Sequence, residues 1–143
     1  MAKEIITEIN ISASPEKIWN ILTDFEKYSL WNPFITSVKG QPSPGNRLTV
    51  RIEPPGGAIM TFQPDVLSRI EQKEFRWKGR LFITGLFDGE HVFQILDNND
   101  GTSTFIQKER FTGILVWMIN LSKTRKGFEL MNERLKTMAE NDK

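Results

Sequence analysis

The sequence predicts an α+β fold in which a curved antiparallel sheet of about seven strands surrounds a long C-terminal helix. Three observations support this class. A strand-like segment is followed by two short helical pieces, several alternating runs separated by turn residues come next, and the end of the chain changes to a helical period. Because no repeat, low-complexity tract or linker interrupts this order, residues 1–143 are expected to form a single domain.

The N-terminal part is predicted to be one strand followed by two short helices. Residues 4–12 alternate between apolar and polar positions, as a half-buried strand does. The Ser-Pro pair at 14–15 then predicts a helix start, because serine accepts from first-turn amides and proline there loses no hydrogen bond. We interpret Asp24 as a second cap that restarts a short helix. The Asn-Pro pair at 32–33 should end it, since proline disfavours helical geometry in the preceding residue.

The middle of the chain is predicted to consist of strands. Alternation covers residues 47–53, 60–70 and 75–83, with proline- and glycine-containing turns around the first of them. Pro64 lies inside the second run and indicates a sheet edge or a bulge, because proline cannot donate to a strand ladder.

Residues 88–113 are predicted to form the clearest hairpin, turning at Asp-Asn-Asn-Asp-Gly, residues that tolerate left-handed backbone geometry. Symmetric pairing sets His91 opposite Glu109 and Phe93 opposite Gln107. One face is more apolar than the other and should point inward. It carries His91, Phe93, Ile95, Phe105, Gln107, Glu109 and Phe111.

The last segment is predicted to be one amphipathic helix from about Ile114 to Glu140, roughly 40 Å long at the standard rise per residue. Phe128, Met131 and Met138 lie in its apolar stripe. Gly127 interrupts it at a cost of about 1 kcal/mol relative to alanine. That glycine either leaves room for a ligand or a bend, or allows close packing against a strand.

Composition excludes several functional classes. The net charge of +1 argues against a nucleic-acid binder, and the absence of cysteine excludes disulfide scaffolds and thiolate sites. With one histidine and no carboxylate motif, no metal site is expected, and without a phosphate-binding glycine loop we expect no cofactor. No signal peptide or membrane-spanning run is recognisable, so a cytoplasmic protein without stable membrane insertion is expected.

Four sequence marks occur in a characteristic order: SPEKIWNILTDFEKYSLWNPF, LFDGEHVFQIL, the Gly-Thr of DGTSTF, and QKERFTG before the last helix. Together they resemble the helix-grip fold of the START and pollen-allergen superfamily, in particular its bacterial polyketide cyclase/dehydrase branch. The resemblance implies a seven-stranded sheet around the helix with an elongated cavity between them. Members of the superfamily bind or transform lipids, sterols, polyketides and other apolar molecules.

An aromatic set is predicted to contact a small apolar ligand, because flat rings offer a large apolar area. The alternative is that these side chains simply fill the core. The candidate ligand-binding residues are Trp31, Phe34, Phe62, Trp77, Phe93, Phe105, Phe111, Phe128 and Met131, with Gln107 orienting polar atoms of the ligand.

His91 and Glu109 are the candidate catalytic pair. Glu109 would orient the only imidazole of the chain, which could then transfer protons in an aldol-type ring closure or a dehydration. The alternative is a satisfied buried polar pair without a chemical role.

Three functions therefore remain open, and catalysis is not decided by the sequence. The first is binding of a small apolar ligand, the second is a cyclase or dehydratase, and the third is a protein-interaction module of the chaperone-ATPase-activator or quinone-binding type. The edge of an open sheet is also compatible with a homodimer.

Overall fold

The structure is a computed structural model that describes residues 2–81, 87–114, 116 and 120–141. Eight strands lie in this part of the chain. The elements are β1 (Ala2–Ile11), α1 (Pro15–Thr23), a 3-10 helix (Phe25–Lys27), α2 (Tyr28–Trp31), β2 (Ile35–Lys39), β3 (Thr49–Ile52), β4 (Met60–Phe62), β5 (Asp65–Ile70), β6 (Glu74–Leu81), β7 (Phe87–Asp97), β8 (Ser103–Thr112) and α3 (Ser122–Asn141).

The strands form two antiparallel sheets, one of five strands in the order β1-β8-β7-β6-β5 and one of three in the order β2-β3-β4. The backbone amide of Leu48 donates to the carbonyl of Pro64, and that of Val66 donates to Asn46, so the two sheets are connected beside β5. Helix α3 packs against β1, β8 and α1. This arrangement confirms the predicted α+β class with a long terminal helix, although the strands are divided between two sheets.

The predicted single run over 60–70 is two strands. It divides at Pro64, and β4 pairs with β3 while β5 pairs with β6. The physical reason is the missing N–H of proline, which cannot continue the ladder but leaves a carbonyl free to accept from Leu48. Alternation alone does not distinguish one bent strand from two strands in different sheets.

Helix α3 begins at Ser122, eight residues later than predicted, and its 20 residues span about 30 Å. Ile114 lies in a turn after Gly113, whose φ is +122°. The side-chain oxygen of Asn120 accepts from the amide of Ser122 at 2.9 Å and so satisfies an amide of the first turn. Trp117, which belongs to the apolar periodicity, lies outside the described residues.

The predicted apolar stripe of α3 agrees with the buried residues except near the end of the helix. Phe128, Met131 and Leu135 are fully buried, whereas Met138 is 40% exposed and Ala139 is buried in its place. A strict three-and-four spacing places Met138 at the edge of the stripe, where the packing selects its neighbour.

The helix boundaries near the N-terminus agree with the prediction, but one cap does not. The Ser14 hydroxyl accepts from the amide of Lys17, and α2 ends at Trp31 before the Asn-Pro pair. The Asp24 side chain caps no backbone amide and instead lies 3.7 Å from the ammonium group of Lys27. The change of direction at Asp24 therefore occurs without a side-chain cap.

Helix α3 also covers the outer edge of β1. The Arg125 guanidinium donates to the carbonyl of Ile6 at 3.1 Å, and the Lys136 ammonium donates to that of Asn10 at 2.8 Å. Because these carbonyls already have partners, this edge offers little to an incoming strand, and the homodimer stays a prediction. No helix in the described ranges is long and apolar enough to cross a membrane.

Candidate functional site

The inner face of β7 and β8 carries the predicted polar residues at the predicted register. His91 pairs with Glu109 and Phe93 with Gln107 across the ladder, so this part of the hairpin prediction is confirmed. The His91 ring is buried, with 4% of its side chain exposed, and the Gln107 side chain is completely buried. Burial of an imidazole and an amide on one face requires hydrogen-bond partners.

Two further buried residues supply those partners. Asn132 of α3 accepts from Gln107 Nε2 at 2.9 Å through its side-chain oxygen and donates to the Thr7 hydroxyl of β1 at 2.9 Å. Thr7 in turn donates to the backbone carbonyl of Gln107 at 3.0 Å. We call Thr7, His91, Gln107, Glu109 and Asn132 the inner polar cluster.

The directions of the hydrogen bonds that link Thr7, Asn132, Gln107 and His91 follow from the backbone carbonyl at one end of the chain. A backbone carbonyl only accepts, so the single hydroxyl proton of Thr7 points to Gln107 O, and Thr7 must accept from Asn132. Asn132 then accepts from the Gln107 amide nitrogen, which also lies 3.5 Å from the carbonyl of Phe128. The remaining Gln107 oxygen, 2.9 Å from His91 Nε2, therefore accepts a proton from the imidazole.

The other ring nitrogen of His91 faces the carboxyl group of Glu109. Nδ1 lies 2.9 Å from Oε1, and two bare acceptors at this distance would repel each other. One proton therefore lies between them, as an imidazolium with a carboxylate or as a neutral imidazole with a carboxylic acid. Both ring nitrogens are thus occupied by protein groups, which differs from the expectation that the imidazole itself faces a ligand.

Glu109 is the outermost member of the inner polar cluster. Its side chain is 15% exposed, compared with 4% for His91. Its second oxygen, Oε2, makes no hydrogen bond with the described residues and is not among their buried atoms that lack a partner. Oε2 therefore reaches accessible space.

A glycine on the neighbouring strand makes room for this carboxyl group. Gly89 of β7 pairs with Gly79 of β6, and a Cβ at residue 89 would lie 2.2 Å from Glu109 Oε2. Phe111 and Phe62 lie beside the two glycines, at 3.5 Å and 3.0 Å from the corresponding Cβ positions. The surface next to Oε2 therefore includes Gly89 and the ring of Phe111.

Aromatic rings surround His91 on its other sides. Its ring centroid lies 4.3 Å from that of Phe93, 4.9 Å from that of Phe128 and 5.5 Å from that of Trp77. Phe93 and Phe128 continue the contact to Phe105 and Phe34. These rings pack on one another, which is how a core is filled as well as how a pocket wall is built.

The predicted ligand-binding residues thus lie in three places within or beside the buried core. Most are buried in one continuous cluster around His91: Phe34, Trp77, Phe93, Phe105, Phe128 and Met131, together with Gln107. Phe111 lies beside Gly89, and the half-buried Phe62 lies beside Gly79. Trp31 packs against Tyr28 at 5.2 Å, and its indole N–H is buried without a hydrogen-bond partner among the described residues.

Close packing explains the glycine at position 127, and the neighbour is the ring of Phe34 just before β2. A Cβ at this position would lie 2.2 Å from the ring of Phe34, far inside van der Waals contact. The glycine therefore lets α3 approach the segment between α2 and β2, and no bend or empty space is needed to explain it.

Thr7, Asn132 and Gly89 are members of this site that the sequence did not predict. The alternation of β1 places Thr7 on the same inward face as Ile5 and Ile9, which lie two residues before and after it. A buried asparagine on the apolar side of α3 and a glycine two residues before the only histidine were also visible. None of these signals names a partner, because the partners lie on other elements.

The comparisons with known proteins agree with this architecture. The model of the family described as polyketide cyclase / dehydrase and lipid transport matches residues 3–140. The chain belongs to this family. No curated protein sequence matches significantly.

Solved structures share the fold of this family member at low sequence identity. A START superfamily protein from Mycobacterium smegmatis is 21% identical with a TM-score of 0.73, covering 96% of this chain and 97% of that one. Ara h 8.0201 is 13% identical with a TM-score of 0.72, covering 99% and 100%. Norcoclaurine synthase from Thalictrum flavum, solved with dopamine and hydroxybenzaldehyde, is 11% identical with a TM-score of 0.73, covering 100% and 89%. These neighbours support the predicted helix-grip fold.

Proposed function

We propose that this protein binds a small hydrophobic or amphipathic molecule, such as a lipid or a polyketide, between the sheet and the long helix. The observation that carries this proposal is the accessible carboxyl oxygen of Glu109 within an apolar inner surface. A carboxyl group is costly to hold there unless it has partners, and one of its oxygens makes no hydrogen bond within the described structure. A ligand polar atom would complete its hydrogen bonding.

The carbon surface of the guest would supply most of the affinity. Removal of apolar surface from water contributes about 25 cal/mol for each Å². Phe62 and Phe111 next to the facing glycines offer the aromatic contact, and the inner polar cluster would set the orientation of the guest. The family description and the ligands named for norcoclaurine synthase support a small organic guest.

Native mass spectrometry and solvent extraction of the purified protein test this proposal directly. We expect a co-purified apolar molecule, or saturable binding of the fluorescent probe anilinonaphthalene sulfonate by the emptied protein. Gly89→Leu should weaken binding at least tenfold, because a side chain at this position would overlap Oε2 and displace the Glu109 carboxyl group. Glu90→Leu changes the next residue of the same strand on the opposite face and is the matched control. A folded protein with neither guest nor probe binding would refute the proposal.

Cyclase or dehydratase activity is the second candidate, and the 2.9 Å contact between His91 Nδ1 and Glu109 Oε1 is the observation that favours it. In an aldol-type closure, Glu109 would take a proton from the carbon between two ketones. The carbon–carbon bond then forms and a proton returns to the alkoxide, after which water is lost. Incubation with a poly-β-ketone thioester analogue and product analysis by mass spectrometry test this. Glu109→Gln should lower the rate at least a hundredfold, and an unchanged rate would exclude the pair.

A further inference from the structure

The inner polar cluster leaves one atom for the ligand. The Thr7 hydroxyl, the Asn132 amide and the Gln107 amide are connected to one another and to backbone carbonyls. Both ring nitrogens of His91 are used by Gln107 and Glu109. Of the cluster, only Glu109 Oε2 remains without a partner in the described part of the chain.

Oε2 is a hydrogen-bond acceptor in both proton arrangements of the pair. The shared proton lies between Nδ1 and Oε1, whichever of the two atoms holds it more closely, and Oε2 carries none. A group that faces Oε2 at hydrogen-bond distance must therefore be a donor. A ligand carboxylate would place two acceptors against each other, and a ligand ketone or ether would do the same.

We propose, on the basis of the proposed function, that Glu109 Oε2 contacts the ligand and selects hydroxyl-bearing apolar molecules, phenols or alcohols, over carboxylates and ethers. His91 is a positioning residue, held by Gln107, Asn132 and Thr7, and it does not contact the ligand. The missing side chain at Gly89 leaves room for the Glu109 carboxyl group itself beside β7. The roles of the predicted pair are thereby exchanged: the imidazole orients the carboxyl group.

Three compounds with one ring system test the proposal: 2-naphthol, 2-methoxynaphthalene and 2-naphthoate, with affinities measured by titration calorimetry. For the unmodified protein we expect 2-naphthol to bind about tenfold more tightly than the ether, as one hydrogen bond to the carboxyl group allows. We expect 2-naphthoate to bind most weakly. In Glu109→Leu the ratio between naphthol and ether should fall to about one, while the ether keeps its affinity.

Glu109→Gln gives an intermediate case and replaces Glu109→Leu if the latter does not fold. Because Nε2–H of His91 is committed to Gln107, the new amide nitrogen must donate to Nδ1 and leave a neutral carbonyl for the ligand. The ratio should fall severalfold but stay above one. Glu90→Leu removes a carboxylate from the outer face of the neighbouring strand and should leave the ratio unchanged.

The outcomes separate this proposal from the proposed function. Binding of naphthol and ether with equal affinity, or a ratio that Glu109→Leu does not change, would overturn the hydroxyl selection and leave apolar binding intact. Failure of the unmodified protein to bind any of the three compounds would count against the proposed function itself.

Discussion

His91 Nε2 lies 2.9 Å from the side-chain oxygen of Gln107 and donates its proton to it. The donor role follows from a chain of hydrogen bonds that ends at the backbone carbonyl of Gln107, reached through Asn132 and Thr7. The hydrogen bonds therefore assign a proton to Nε2 of His91. They also explain why an amide side chain occupies the buried centre of the sheet.

The tautomer of His91 is the first prediction. Because the chain contains a single histidine, a long-range nitrogen–proton correlation spectrum of tag-free labelled protein reports one ring. We expect Nε2 to be protonated in the native protein, and Gln107→Leu to remove this constraint. Gln94→Leu, on the outer face of the adjacent strand, is the matched control. A native spectrum showing only Nδ1 protonated would contradict the assigned hydrogen-bond direction.

Replacement of Asn132 by leucine should lower the free energy of unfolding by about 1–3 kcal/mol, although leucine has similar size and Asn132 lies in an apolar helix face. The loss arises because the Gln107 amide and the Thr7 hydroxyl each lose a partner while they stay buried. Urea unfolding measures it. Asn20→Leu, at an exposed position of α1, should change stability by less than about 0.5 kcal/mol. Equal effects at the two positions would show that the cluster contributes no stability.

Gly127→Ala should destabilise the protein by about 1–3 kcal/mol. Alanine in a helix is ordinarily better than glycine by about 1 kcal/mol, so the sign of the effect is decisive. The reason is the contact of the new methyl group with the Phe34 ring. Thermal unfolding of the two single variants and of the double variant measures this. The loss of stability caused by Gly127→Ala should be smaller in the Phe34→Leu protein, where the side chain facing residue 127 is smaller. A stabilising Gly127→Ala would mean that α3 does not approach Phe34 this closely.

The single tyrosine predicts how stability depends on alkaline pH. Burial, and to a lesser degree the charge of Asp24, raise the pKa of Tyr28 above its usual value of 10.0. The folded state therefore holds this proton more tightly than the unfolded state. The resulting stability is fully present below about pH 10 and is lost as the pH rises beyond it.

An alkaline titration followed by tyrosinate absorbance and circular dichroism measures this effect. We expect tyrosinate to appear only together with unfolding, because the hydroxyl donates to the carbonyl of Leu22 inside the core. In Tyr28→Phe the decline of stability above pH 10 should be shallower, and lysine titration affects both proteins alike. Tyrosinate absorbance near pH 10 in the folded protein would show that the pKa of Tyr28 is not raised by burial.

Local patterns predicted the hairpin and its inner face because both depend on neighbouring residues. The turn residues at 97–101 define the centre of the hairpin, and a period of two then places His91 and Glu109 on the same face. The Ser-Pro start of α1 depends on the first helical turn alone and was equally accessible. The start of α3 could not be predicted in this way, because the helical spacing of apolar residues begins before the first residue of the helix.

The amino-acid sequence by itself determined the order of elements, the family, and the burial of one histidine opposite one glutamate. The tertiary structure decided what those two side chains do. Asn132 reaches Thr7 across 125 residues, and the Gln107 amide meets Asn132 only because α3 packs over β1 and β8 at one particular rotation. That rotation depends on many side-chain contacts at once, Phe34 against Gly127 among them. The spacing of residues along the chain does not contain the combined effect of these contacts. Only the tertiary structure therefore shows that the Glu109 carboxyl group is the more exposed member of the pair.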